Sequence, residues 1–449
     1  MTPIERGEDM NPLESEPQKL TEPQTRREVL RRAGGAAVGM TVLGNVLAAC
    51  GSSSKPVASA KASSATGETA SGAIKVGVLF SLSGDLSIAE TSMKNATILA
   101  IEELNAKGGI GGRKIEPIIE DYASDFGVVV EKARKLVNDD KVASVIGCYA
   151  SASRKAVLPV FEQANNVLLY PTFYEGLECS TNVIYTSLVA NQHLTDTTNW
   201  MVQNAGKKIY MVGSDYVGPQ TYNAIVKKLA EKQGATVIAN RFFPLTQTEF
   251  GSALSDIGAA KPDLIWNTIV GAGTPAFLKQ YRAAGFTPQK TPIFSGICTE
   301  QELAAVGGAA ANGHYFPASY FETMKTPDNL SFIKRYQAKY GSEQPTNMPM
   351  QASYNSVFLL AAAIEKAGEA TPEAILKAFP GVSHKPPGQE GVVTVRANHH
   401  TTHQVFLGRA NDKALYDMIV KFPEREPEPF PPSIVPASKI PSCPRRETS

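Results

Sequence analysis

A recurring alternation of short apolar runs with helix-period stripes constrains this chain more than any other feature. Ile74 to Phe80 is an almost unbroken apolar run ending in Ser81-Leu82-Ser83-Gly84, the pattern of a strand buried on both faces of a parallel sheet. Met93, Ala96, Thr97, Ala100, Ile101 and Leu104 follow at helical spacing, and Gly108-Gly109 stops that helix. The rhythm continues through a strand from Lys114 to Glu120, a helix over 128–138, a strand over 142–148, a helix striped by Ala156, Val157, Val160, Phe161 and Ala164, and a strand over 167–170. A second series repeats the architecture over 208–295 without a close sequence repeat. Strand–helix alternation of this kind builds βαβ units, so the fold class is α/β, with two doubly wound parallel-sheet lobes. After Gly313 two long helices, near 327–340 and 349–366, a shorter one near 372–379 and short strands over 391–420 are too little for a third domain. The helices are assigned to the first lobe (73–188 plus 314–385) and the strands to the second (189–313 plus 386–421). The chain then crosses between lobes three times, forming a hinge. Residues 422–449, rich in Pro and charge, read as a disordered tail.

The first fifty residues read as an address. After a polar lead, Arg26-Arg27 precedes a stretch of 17 uncharged residues from Ala33 to Ala49, shorter than the ~20 needed to span a membrane. It ends in Leu47-Ala48-Ala49-Cys50-Gly51. The Arg pair resembles a twin-arginine export signal, with the general export route as the alternative. The segment around Cys50 resembles a lipoprotein lipobox, which implies cleavage before Cys50, a diacylglycerol on its sulfur and a membrane anchor. Residues 51–72, rich in Ser, Ala, Lys and Gly, read as a flexible tether. The expected location is the outer face of the cytoplasmic membrane.

Composition and motifs exclude several function classes. A formal net charge of +1 gives no basic surplus for nucleic acid. The Gly-rich loops at 108–112 and 271–273 form neither a dinucleotide fingerprint nor a Walker sequence. No GxSxG elbow, HExxH pair or other recognisable nucleophile–base set occurs, so no enzymatic activity is expected. No cofactor or metal is expected either: the histidines cluster only at His399, His400 and His403, and the cysteines show no metal-ligand spacing. Cys148 and Cys179 stand close enough to the strand ends that their pairing is left open.

Several segments carry a family resemblance: Ala100-Ile101-Glu102-Glu103-Leu104-Asn105 with Gly108-Gly109, Ser151-Ala152-Ser153-Arg154-Lys155-Ala156-Val157-Leu158-Pro159-Val160, Tyr170-Pro171-Thr172-Phe173-Tyr174-Glu175-Gly176, Gly213-Ser214-Asp215-Tyr216 and Asn398-His399-His400. Over about residues 73–420 the chain resembles type I periplasmic binding proteins of the branched-chain amino acid and amide type. The segments at 151–160 and 170–176 are similar to its urea- and short-amide-binding branch. The resemblance implies a monomeric receptor for a small neutral solute, urea or a short amide, that hands it to ABC permease subunits. A branched-chain amino acid receptor and an extracytoplasmic amide sensor are the alternatives.

The candidate site follows from strand ends. Ligands of open α/β sheets sit at the carboxyl ends of the strands. There Ser83 of the first lobe and Tyr216 and Val270 of the second would meet the solute, and the resemblance implies that Tyr149, Ser151, Tyr170 and Thr172 of the first lobe contact it. The helix starting near Ser151 offers unpaired N–H groups to a carbonyl oxygen, while Tyr and Thr hydroxyls both donate and accept. Ser153 reads as a helix cap. Glu175 could accept from an NH2 group or fix its loop. In amino-acid-binding members an acid in the loop after Val270 holds the ammonium group; no Asp or Glu lies between Trp266 and Gln280, which favours a neutral ligand. One departure stands out: the amide sensor has a Tyr where Gly218 stands here.

Overall fold

In the computed structural model, the described residues are 72–432 and 434–436. The expected export signal, Cys50 and most of the tether lie outside them.

The first apolar run forms β1 (Ile74–Phe80), at the heart of a five-stranded sheet. It pairs in parallel with β2 (Ile115–Asp121) and β3 (Ser144–Gly147), and β4 (Leu168–Tyr170) and β5 (Val183–Tyr185) complete the order β2-β1-β3-β4-β5. Five of the seven β1 residues from Val76 to Phe80 are wholly buried, which is why the strand reads as a continuous apolar run rather than an alternation. Helices α1 (Ser87–Ala106), α2 (Val128–Arg134) and α3 (Ser151–Gln163) cover this sheet.

The second lobe holds α4 (Ala190–Asn204), β6 (Lys208–Ser214), α5 (Val217–Lys232), β7 (Thr236–Phe243), α6 (Gly251–Ala260), β8 (Leu264–Thr268), α7 (Gly273–Ala283), β9 (Ile293–Ser295), α8 (Glu300–Val306), α9 (Gly308–Ala311) and β10 (Tyr315–Ala318). The chain then enters α10 (Pro327–Tyr340), α11 (Met348–Ala367) and α12 (Pro372–Ala378). Of these, α11 packs along α1 of the first lobe and α12 packs against α11. A short ladder, β11 (Ser383–His384) with β12 (Val393–Thr394), precedes β13 (Phe406–Ala410) and β14 (Tyr416–Lys421), which add antiparallel strands to the second sheet in the order β14-β13-β10-β9-β8-β6-β7. The two expected doubly wound lobes are therefore present.

Two readings from sequence need correction, and one left open is answered. Tyr315–Ala318, assigned to the first lobe, pairs with Ile293–Ser295 and Phe406–Ala410 in the second sheet, so the chain crosses back only after Ala318. Cys148 is free and buried, and Cys179 is disulfide-bonded elsewhere; the two do not pair. The tail expected to be disordered over 422–449 is instead seated as a strap over 422–432 and 434–436, the rest of it lying outside the described residues. Phe422, Phe430, Ile434 and Val435 are buried. Arg425 makes a two-pronged ion pair with Asp196 of α4 (2.6 and 2.7 Å), the Asn191 side-chain amide donates to the Glu426 carbonyl, and the Leu177 N–H donates to the Pro429 carbonyl (2.9 Å). Lys228 of α5 reaches the Ile434 carbonyl. Four apolar side chains and a set of backbone partners on both lobes outweigh a composition that, taken alone, suits an unfolded segment.

Candidate functional site

The site is assembled where β3, β4 and β6 end. Gly147 closes β3 against β1: a Cβ there would lie 2.2 Å from the Leu79 carbonyl oxygen, so only glycine fits this approach. Cys148 then takes a left-handed conformation (φ 65°), and the turn throws Tyr149 and the start of α3 toward the second lobe. Ala150 at the helix N-cap has no side chain to cap the first turn, so its N–H groups face outward. In the second lobe α5 likewise starts at an N-cap, Tyr216, that makes no side-chain cap. Two positive helix ends thus meet one space.

The lobes are shut on each other. The Ala272 N–H donates to the Asp85 carbonyl (3.3 Å), and a Cβ on Gly218 would stand 3.0 Å from Ser151 Oγ. Between them lies a cavity of about 20 Å³ lined by Tyr149, Ser151, Thr172, Phe173, Tyr216, Gly218, Tyr222 and Ile297. A void of this order admits a water or a molecule of a few heavy atoms. No charged side chain lines it.

Each polar group there has a definite state. The Tyr149 hydroxyl is buried and has no hydrogen-bond partner among the described residues, so a bound solute is its natural partner. Burial, followed by the nearby Glu302 carboxyl, holds its pKa well above the usual phenol value, and burial does the same for Tyr216; both remain neutral phenols. Thr172 leans its hydroxyl toward the Cys148 carbonyl at 3.4 Å. Ser151 donates to Glu175 Oε2 (2.5 Å), and Arg154 holds the other oxygen of Glu175 (3.0 Å).

Behind the site lies a buried ion cluster. Arg154 also bonds Glu178 through Nε (2.8 Å), Lys155 bonds Glu178, and the Arg154 guanidinium lies over the rings of Tyr170 (4.8 Å) and Tyr174 (4.5 Å). Burial alone would weaken the charge on Arg154, but Glu178 and Glu175 outweigh it and raise its pKa further. Burial likewise opposes ionisation of Glu178, yet Arg154 and Lys155 pull it down to about 2.

Of the residues expected from sequence, Tyr149, Ser151, Thr172 and Tyr216 meet at the cavity. Tyr170, Ser83 and Val270 do not line it. The Tyr170 hydroxyl turns back to donate to the Tyr149 carbonyl (2.5 Å), Ser83 donates to Asp121 Oδ2 (3.0 Å), and the Val270 N–H donates to Ser214 Oγ (3.1 Å). Phe173, Tyr222 and Ile297 join the lining without having been singled out. Phe173 adjoins a residue that was, but Tyr222 is a helix-stripe residue and Ile297 follows a three-residue strand. His399, His400 and His403 are buried, and no group of metal-binding side chains occurs among the described residues. His400 instead stacks on Tyr185 (4.3 Å between ring centres) and bonds the Tyr174 hydroxyl (2.5 Å).

Two doubly wound lobes closed over one small cavity define a solute receptor. The chain belongs to the periplasmic binding protein family: the model of its periplasmic binding protein domain matches residues 74–434. Members bind solutes rather than transform them and act outside the cytoplasm. A Leu/Ile/Val-binding protein homolog 7 of Brucella suis is 26% identical over 317 residues, covering 66% of this chain and 78% of that protein. A leucine-, isoleucine-, valine-, threonine- and alanine-binding protein of Pseudomonas aeruginosa is 24% identical, covering 68% and 82%. Among solved structures, a solute-binding protein of an ABC transporter from R. palustris, in complex with benzoate, matches with a TM-score of 0.71 at 23% identity, covering 79% of this chain and 98% of that one. A branched-chain amino acid transporter substrate-binding protein of Streptococcus pneumoniae, in complex with isoleucine, matches with a TM-score of 0.68 at 22% identity, covering 78% and 100%. No helix among the described residues is long and apolar enough to cross a membrane.

Proposed function

We propose that this protein captures urea or a short neutral amide in the closed cleft and delivers it to an ABC permease, held at the membrane by a lipid on Cys50 after export. The observation that carries the ligand reading is the cavity itself: about 20 Å³, with no charged lining residue and an unpartnered buried tyrosine hydroxyl. A urea or amide needs donors for its oxygen and acceptors for its NH2 groups. The helix N-termini supply the first, and the hydroxyls of Tyr149, Ser151 and Thr172 can supply the second. The solute works by stabilising the closed form through contacts available only there.

The relatives named above favour a second reading, a branched-chain amino acid receptor. It needs a carboxylate to hold the ammonium group and room for an aliphatic side chain. The buried acids beside the cavity are already committed: Glu175 is held by Ser151 and Arg154, and Glu302 accepts from the Thr299 N–H (2.7 Å) and hydroxyl (2.6 Å), closing the start of α8.

Isothermal titration of the purified chain with urea, acetamide, leucine and benzoate decides between them. Binding of urea or acetamide without response to leucine or benzoate is expected. Leucine or benzoate binding with no response to the neutral pair would refute the amide reading.

A further inference from the structure

The hydroxyl of Ser151 sits at the mouth of α3, where a ligand oxygen would normally find a donor. Its proton is committed elsewhere. Ser151 is 6% exposed and Glu175 2%, and the 2.5 Å bond between them runs from the hydroxyl to the carboxylate. Glu175 cannot turn away, because Arg154 holds its other oxygen and is itself fixed by Glu178 and two aromatic rings. Since a hydroxyl has one proton and two lone pairs, the Ser151 oxygen presents only lone pairs to the cavity.

We infer that Glu175 is a positioning residue that makes Ser151 an obligate acceptor, so that the cleft selects an N–H-bearing ligand over the isosteric carboxylate. A carboxylate group placed against Ser151 would bring lone pair against lone pair, with the charge of Glu175 directly behind. An amide in the same pose turns an N–H toward Ser151 and its carbonyl oxygen toward the helix ends. A site built to bond an N–H rejects an analogue that lacks it far more strongly than a change of size would. Discrimination therefore arises from the fixed direction of one buried proton, with no cationic or anionic group in the lining. The inference builds on the neutral-amide reading and specifies the group that enforces it.

The test uses isosteric pairs, acetamide with acetate, benzamide with benzoate and leucinamide with leucine, titrated into the purified chain and its Glu175→Gln and Ser151→Ala variants. For whichever pair binds, the wild type should prefer the amide by about a hundredfold or more, and Glu175→Gln should narrow that ratio by about tenfold or more. If Glu175→Gln does not fold, Ser151→Ala still decides, because it leaves the Arg154–Glu175–Glu178 cluster intact. It should weaken the amide by about tenfold while leaving the carboxylate unchanged or tighter. Equal weakening of both members would show a merely structural role and overturn the inference. A wild-type preference for the carboxylate member, or binding of neither member of any pair, overturns it as well. A benzamide or leucinamide preference that collapses in the variants, without urea or acetamide binding, would uphold it while refuting the small-ligand reading.

Discussion

Replacing Gly218 by alanine should weaken ligand binding while leaving the unliganded protein as stable as before, or slightly more so. In the closed form the added Cβ would lie 3.0 Å from Ser151 Oγ, 3.1 Å from Tyr216 Cε2 and 3.4 Å from Ser151 Cβ. Carbon contacts settle at about 3.5–4.0 Å, so the neighbours must yield by several tenths of an ångström. Ser151 is tied to Glu175 and does not yield freely, and Tyr216 is half-buried against the core. Overpacking of this kind costs about 1–3 kcal/mol. Because Ser151 belongs to the other lobe, most of that cost falls on the closed state alone, and affinity should drop by about 5–150-fold. In the open state alanine replaces glycine within α5, worth up to about 0.5–1 kcal/mol in its favour. Titration calorimetry with the probe that binds the wild type, beside calorimetric melting of the ligand-free protein, measures both terms. Unchanged or tighter binding would refute the reasoning, since it would mean that the lobes do not close to the separation described.

Tyr149→Phe should lower affinity about tenfold, the weight of one lost hydrogen bond, without lowering Tm, because that hydroxyl bonds nothing else among the described residues; a lower Tm with unchanged affinity would contradict this. Arg154→Met should destabilise the fold by about 3–5 kcal/mol in chemical denaturation, since it leaves buried Glu175 without a cation and Glu178 with Lys155 as its one cation; a loss under about 1 kcal/mol would show the cluster to be dispensable. Glu90 is wholly buried beneath the site and, chiefly through that burial, its pKa is raised to about 8. A raised carboxyl contributes stability that is fully present below its unfolded value and is lost as pH climbs from about 4.5 to 8. Glu90→Gln mimics the protonated form, so its stability relative to wild type should grow by about 1.4 kcal/mol per pH unit across that window; a pH-independent difference in melts between pH 5 and 8 would refute it.

The βαβ rhythm was legible because strands buried on both faces leave apolar runs that polar residues cannot mimic. Where strands are very short, the signal fades: Val183–Tyr185 went unread, and Tyr315–Ala318 was placed with the wrong sheet because its pairing depends on Phe406–Ala410, some ninety residues later. The strap was illegible for a related reason. Its Pro and charged residues bond groups scattered over Asp196, Asn191 and Leu177, and composition carries no trace of such partners. At the site, the strand-end rule located the right loops, but not the direction of each side chain within them. Tyr170 lies two residues from Thr172, yet its hydroxyl turns back to the Tyr149 carbonyl. The role of Glu175 needed Ser151 and Arg154 to be brought beside it across more than twenty residues of sequence.

The strap over 422–432 and 434–436 touches the loop at Leu177 in one lobe and both α4 and α5 in the other. Any rotation that parts the lobes must stretch or strip some of those bonds, so the strap acts as a return spring mounted outside the cleft and in parallel with the hinge. Part of the work of opening is thus done far from the solute. A protease nick or a mutation between Arg425 and Val435 would accordingly register first as a change in release rate, before any change in the fold.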